Sequence, residues 1–179
     1  FGIDEFGEPD EVRIPKGDAI NLSFNGALRD YQIKIVEIYK KALGVNGGGG
    51  LLEIPCGRGK TVIALNIISQ LKVKTLVIVH KGFLLNQWVE RIEQFLPGAR
   101  IGKIQGQVVD IENKDIVVGM LQSLSMKEYP SDMFASFGLT IVDECHHISS
   151  EVFSRSLQRI VTRCMLGLSA TMQRKDGLT

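Results

Sequence analysis

Glu53-Ile54-Pro55-Cys56-Gly57-Arg58-Gly59-Lys60-Thr61 decides how the chain is read. An apolar run, Leu51 to Ile54, feeds a glycine-rich turn that opens directly into a helical pattern. Gly57 and Gly59 reach backbone angles closed to other residues, so successive amide N–H groups can curl into a concave nest at the positive end of a helix. A nucleoside triphosphate fits such a nest. Pro55, Cys56, Gly57, Arg58 and Gly59 form its wall, Lys60 reaches the β- and γ-phosphates, and the Thr61 hydroxyl takes one position on a Mg²⁺ ion. The strict phosphate-loop pattern wants another Gly where Ile54 stands, but Gly59-Lys60-Thr61 is intact. A chance Gly-Lys-Thr would be a helix entry with a solvated lysine; the strand-turn-helix context separates this stretch from that case.

A nucleotide site needs a second half on a neighbouring strand. Leu139-Thr140-Ile141-Val142-Asp143 is an apolar run ending in a carboxylate, the arrangement that holds Mg²⁺, and Glu144 is the candidate general base on the attacking water. Two half-sites in the correct order support each other.

The 179 residues suit one α/β domain with ample core. Net charge is +1, so composition does not announce a nucleic-acid binder. Phe1 to Arg13 holds five acids against one base, an acidic lead-in that leaves +5 for the remainder. Residues 1–27 carry no sustained period and read as the end of a preceding domain; the ATP-binding domain runs over 28–179. The absent initiator Met marks the chain as a piece of a longer one.

Three cysteines at spacings that match no disulfide framework point to a reduced, intracellular setting, cytoplasmic or nuclear. Cys145-His146-His147 invites a zinc reading, but neighbours on an extended chain point to opposite faces, so no zinc is expected. Membrane association is not expected either, because no apolar run nears the ~20 residues of a span.

Tyr31, Ile35, Ile38 and Ala42 predict the apolar face of an amphipathic helix, and Gly44 to Gly50 reads as a flexible connector. Helices follow over Val62 to Leu71 and around Leu84, Leu85, Trp88, Ile92 and Phe95, the last stopped by Pro97-Gly98. Trp88 reads as core. Strands are predicted at Thr75 to His80, Ile101 to Ile104, Ile116 to Gly119, Leu139 to Asp143 and Met165 to Ser169. Helical pieces are expected over Ser131 to Phe137 and through Phe153, Leu157, Ile160 and Val161. This alternation implies a mostly parallel sheet with helices on both faces and ligands at the carboxyl ends of the strands.

Pro55 to Thr61, Val142-Asp143-Glu144-Cys145-His146 and Leu168-Ser169-Ala170-Thr171, in that order, resemble motifs I, II and III of superfamily 2 helicases of the DExH type. Leu28-Arg29-Asp30-Tyr31-Gln32, His147 and Gly167 to Gly177 bring the chain closest to the XPB and UvsW branch. The resemblance implies the N-terminal RecA-like P-loop NTPase domain of an ATP-dependent DNA helicase, with ATP and Mg²⁺ as cofactors. It implies that Gln32 hydrogen-bonds the adenine edge, with Arg29 or Phe24 packing near the base. His146 would link the ATP site to nucleic acid, and Ser169 and Thr171 would couple hydrolysis to movement. Val79-His80-Lys81-Gly82 with Gln87-Trp88 is similar to motif Ia and Gly119 to Leu124 to motif Ib, which implies strand-backbone contacts from Lys81, Gly82, Gln122 and Ser123. Met172 departs from the Pro that commonly follows Ser-Ala-Thr. The resemblance also implies a second RecA-like domain, C-terminal in the same full-length chain, without which the isolated domain would be nearly inactive. A double-strand translocase or remodeller, an RNA helicase, and a nucleotide-gated interaction module without catalysis remain the alternatives.

Overall fold

The computed structural model describes residues 18–43, 48–55, 59–126, 134, 136–144, 160, 162 and 164–171. At its centre lies β2 (Thr75–Val79), whose five residues are all buried. Only a strand covered on both faces tolerates Thr-Leu-Val-Ile-Val without polar alternation. Leu76 and Ile78 join one core cluster, Val77 and Val79 the other, so successive side chains feed opposite faces of the sheet.

Among the described residues, seven strands pair in the order β1-β7-β6-β2-β5-β3-β4. Around β2 these are β1 (Gly48–Pro55), β3 (Ile101–Gln105), β4 (Val108–Val109), β5 (Ile116–Met120), β6 (Leu139–Val142) and β7 (Cys164–Thr171). Six of them run parallel; only β4 is antiparallel, folded back on β3 at the edge. Helices α1 (Asp30–Leu43), α2 (Lys60–Leu71), α3 (Gly82–Phe95) and α4 (Leu121–Met126) complete the described elements. Ile63, Leu65, Ile67 and Ile68 of α2 and Leu85, Trp88 and Ile92 of α3 pack on one face with Val77, Val118, Ile141 and Leu166. Leu121, Leu124, Phe134, Phe137 and Ile160 close the other face over Ile78, Ile104, Val117 and Val142.

Three readings of the sequence need correction. The expected connector Gly44 to Gly50 is in part strand: Gly48, Gly49 and Gly50 pair with Cys164, Met165 and Leu166. Glycine's poor strand propensity yields there to eight residues of parallel register with β7. The buried face of α1 is also turned by about one residue from the expected one. Gln32, Val36 and Tyr39 are buried, whereas Ile38 is 64% exposed. A polar residue, Gln32, belongs to that face, which a purely apolar period misses. The Tyr39 hydroxyl donates to the Met165 carbonyl at 2.7 Å, pinning α1 to β7, and burial raises its pKa. Third, α4 and the two-residue β4 had no periodicity to announce them, being too short for one. The predicted helix over Phe153 to Val161 lies outside the described residues except for Ile160. Of the Ser131 to Phe137 piece, Phe134, Ser136 and Phe137 are described.

Candidate functional site

Parallel pairing sends the carboxyl ends of β1, β7 and β6 to one edge of the sheet, and both halves of the expected site emerge there. Val142 aligns with Gly167, while Pro55 aligns with Thr171, so β1 and β7 project four residues beyond the end of β6. Asp143 and Glu144 leave β6 at that step, and Lys60 begins α2 beside them.

Gly59 is the N-cap of α2, with φ 75° and ψ 41°, in the left-handed region that glycine adopts without steric cost. A second constraint comes from packing: a Cβ at Gly59 would lie 2.7 Å from Nε2 of Gln32. Gln32 is therefore buried against Gly59, at the entry to α2. Its Oε1 accepts the Arg29 amide at 2.8 Å, which fixes the side chain as α1 begins. Arg29 itself is exposed. Cys56, Gly57 and Arg58 lie outside the described residues, as do Cys145, His146 and His147.

Lys60 connects the two half-sites. Its Nζ donates to Oε2 of Glu144 and stands 3.0 Å from Oδ1 of Asp143. Burial pulls the ammonium's pKa down, but the hydrogen bond to Glu144 and the charge of Asp143 outweigh it, so the value lies above that of ordinary lysine. Among the described residues, one cation faces two carboxylates in this cluster.

Asp143 is 2% exposed, and its two oxygens differ. Oδ2 accepts the indole N–H of Trp88 at 2.8 Å in a buried hydrogen bond. Oδ1 is buried with no hydrogen-bond donor aligned on it. Trp88 is thus core, as read from the sequence, and also a polar partner of the site, which burial propensity alone did not reveal. Glu144 has φ 53°, a left-handed backbone costing a non-glycine residue about 1–2 kcal/mol. Thr61 is half-buried in the first turn of α2.

Ser169 is buried and in register with Glu53, and Thr171 with Pro55, on the strand between the two half-sites. Lys81 is exposed and caps α3 at its N-terminus, with Gly82 next to it. Gln122 Nε2 donates to the His80 carbonyl at 3.1 Å, and the Ser123 hydroxyl accepts the Gly106 amide at 2.9 Å. Those bonds tie α4 to the β2–α3 loop and to the β3–β4 turn. Phe83, beside Gly82, is 58% exposed, a feature that reading the surrounding motif for its polar residues passed over. No described helix is long and apolar enough to cross a membrane.

The family described as the res subunit of type III restriction enzymes matches residues 25–174. A putative ATP-dependent RNA helicase of Acanthamoeba polyphaga mimivirus is 36% identical over 180 residues, covering 99% of this chain and 34% of that protein. The DNA 3'-5' translocase XPB2 of Sulfurisphaera tokodaii is 37% identical over 153 residues, 84% of this chain and 32% of its own length. The chain thus spans about a third of these relatives. Among solved structures, the Sulfolobus solfataricus SWI2/SNF2 ATPase core in complex with double-stranded DNA aligns with a TM-score of 0.68 at 19% identity, over 91% of this chain and 36% of that one. The UvsW helicase of bacteriophage T4 aligns with a TM-score of 0.65 at 23% identity, over 94% and 61%. At such identities the likeness is one of fold, the RecA-like helicase core.

Proposed function

The chain belongs to the family described as the res subunit of type III restriction enzymes, a group of helicase-type ATPase motor domains, and from that premise we propose that it is the DExH-type N-terminal motor domain of a DNA helicase or translocase. The observation that carries the reading is the Lys60 ammonium drawn between Asp143 and Glu144 at the carboxyl ends of parallel strands. It supports a division of labour. Lys60 binds the phosphates and stabilises charge on the transferred phosphoryl group, and Glu144 orients the attacking water and takes its proton. Gln32, packed against Gly59, reads the adenine, with Arg29 at the rim.

Mg²⁺ fits the donor set. Oδ1 of Asp143, with no donor aligned on it, and the Thr61 hydroxyl are hard oxygen ligands of the kind this ion takes. When bound, the ion neutralises charge on the phosphates. Ser169 and Thr171, on the strand between the half-sites, pass the state of the nucleotide to the rest of the motor. His146 does so toward the nucleic-acid side, where Lys81, Gly82, Gln122 and Ser123 hold phosphate and sugar. A second RecA-like domain of the full-length protein supplies the opposite wall of the cleft. DNA is favoured over RNA by the XPB- and UvsW-like motifs, although one relative is named an RNA helicase.

The test separates binding from chemistry in the full-length protein. Lys60→Ala should lose both Mg²⁺-ATP binding and turnover, whereas Glu144→Gln should keep binding and lose about 10²–10⁴-fold in hydrolysis, as expected for a general base. Calorimetric titration and steady-state phosphate release read the two quantities. Equal loss of binding in both variants would overturn the assignment. Strand choice is read by whether DNA or RNA stimulates the parent's turnover.

A further inference from the structure

Asp143 is held by a residue with no role in the reading above. Trp88 lies in the second turn of α3, is 1% exposed, and spends its single polar group on Oδ2 of Asp143. The indole N–H is a donor only, so it satisfies that oxygen without ever competing for a cation. A carboxylate torsion is broad and nearly two-fold, so without such a bond either oxygen of Asp143 could face Lys60. With it, the choice is fixed: Oδ2 is taken, and Oδ1 stands 3.0 Å from Lys60 with no other donor aligned on it. The indole cannot swing away, because α3 packs it into the core with Leu85, Ile92 and the faces of α2, β2 and β5.

We propose that Trp88 is a positioning residue for the metal-side carboxylate, turning Oδ1 of Asp143 toward Lys60 and the phosphate loop so that a divalent cation meets a preset ligand. The proposal rests on the nucleotide-site reading of Asp143. It assigns Trp88 a directional hydrogen bond beyond its packing. Outer partners of metal-ligating side chains are typically worth about 10–100-fold in metal affinity.

The experiment replaces Trp88 in the full-length protein by its benzothiophene isostere, which keeps the shape and lacks the N–H, and alongside it makes Trp88→Phe. Binding of a non-hydrolysable ATP analogue is measured by calorimetry with and without Mg²⁺, and urea unfolding checks the fold. In both variants the enhancement of binding by Mg²⁺ should fall about 10–100-fold while Mg²⁺-free binding stays at the parental value. Unchanged enhancement in the isostere overturns the proposal. So does an equal fall with and without Mg²⁺, which is what loss of packing alone would give. Asp143→Ala separates the two layers of argument. If it leaves the enhancement at the parental value, the metal-side reading of Asp143 fails first; if it abolishes the enhancement while the isostere does not, only the role of Trp88 fails.

Discussion

Two clusters of opposite charge sit at opposite edges of the same sheet. At the carboxyl edge Lys60 meets Asp143 and Glu144; at the amino edge Arg100 meets Asp115, just before β5, and Lys74, just before β2, feels the charge of Asp18 and Asp115. The amino-edge cluster is closed. Asp115 accepts Arg100 N at 3.0 Å and Nε at 3.4 Å on one oxygen and Nη2 at 2.8 Å on the other. Lys74 donates to the Ile111 carbonyl at 2.8 Å and lies 5.2 Å from the centroid of the Phe137 ring. Among its described residues the carboxyl-edge cluster sets two carboxylates against one lysine, and it has an acceptor oxygen with no aligned donor and a residue in left-handed backbone. Similar side chains therefore do different work. A cluster whose hydrogen bonds are all closed is suited to holding the fold, whereas one that sets two carboxylates around a single lysine is suited to exchanging partners with a ligand.

The largest effect that could break this contrast is catalytic. Lys60→Ala should lower turnover of the full-length protein by about 10²–10³-fold, the usual cost of one transition-state donor. Its stability should move far less than its rate, since Glu144 is partly exposed and Trp88 still bonds to Asp143. Urea unfolding beside a turnover assay checks this, and a loss of stability matching the loss of rate would erase the distinction.

Asp115→Ala should do the reverse. Removing the carboxylate that accepts three hydrogen bonds from Arg100 should lower stability, by less than for a fully buried pair because the Arg100 side chain is 61% exposed. Turnover per folded molecule should stay at the parental value. The same group sets a pH test with a definite sign. Burial alone would raise the Asp115 pKa, but hydrogen bonds from Arg100 and its charge hold the carboxyl below its ordinary value. A depressed folded pKa gives stability that is fully present above the unfolded value of about 4 and is lost as pH falls through the folded one. The stability gap between parent and Asp115→Asn should therefore be constant from neutral pH down to about 4 and close below it. A gap that instead widens on acidification would mean that Arg100 does not hold the carboxylate.

Which of these features could be read from the sequence follows from how far each interaction reaches. The buried strands Thr75–Val79 and Leu139–Val142 are local patterns, and both were legible; of the phosphate turn, Cys56, Gly57 and Arg58 lie outside the described residues. The Asp143–Trp88 bond crosses 55 residues and joins two side chains that each had a sufficient local reading, so nothing in the sequence asked for it. Gly48 to Gly50 failed for a related reason: their strand is made by β7, more than a hundred residues later. Gln32 was singled out by its motif, but its close approach to Gly59 depends on packing between elements.

The smallest effect sharpens the contrast at the backbone. Lys72, Asn113 and Glu144 are the described non-glycine residues with positive φ. Lys72 closes α2, its N–H on the Ile68 carbonyl, and Asn113 is of a type that tolerates the conformation. Glu144, with φ 53°, instead carries the candidate base. Ala and Gly at this position both delete the carboxylate, so both should abolish hydrolysis, but only Gly relieves the backbone. Glu144→Gly should therefore be more stable than Glu144→Ala by about 1 kcal/mol, the strain outweighing glycine's extra freedom in the unfolded chain. Paired urea titrations resolve a difference of that size. If Ala were the more stable, the left-handed turn would not be a cost borne at this site, and the carboxyl edge would differ from the amino edge in its charges alone.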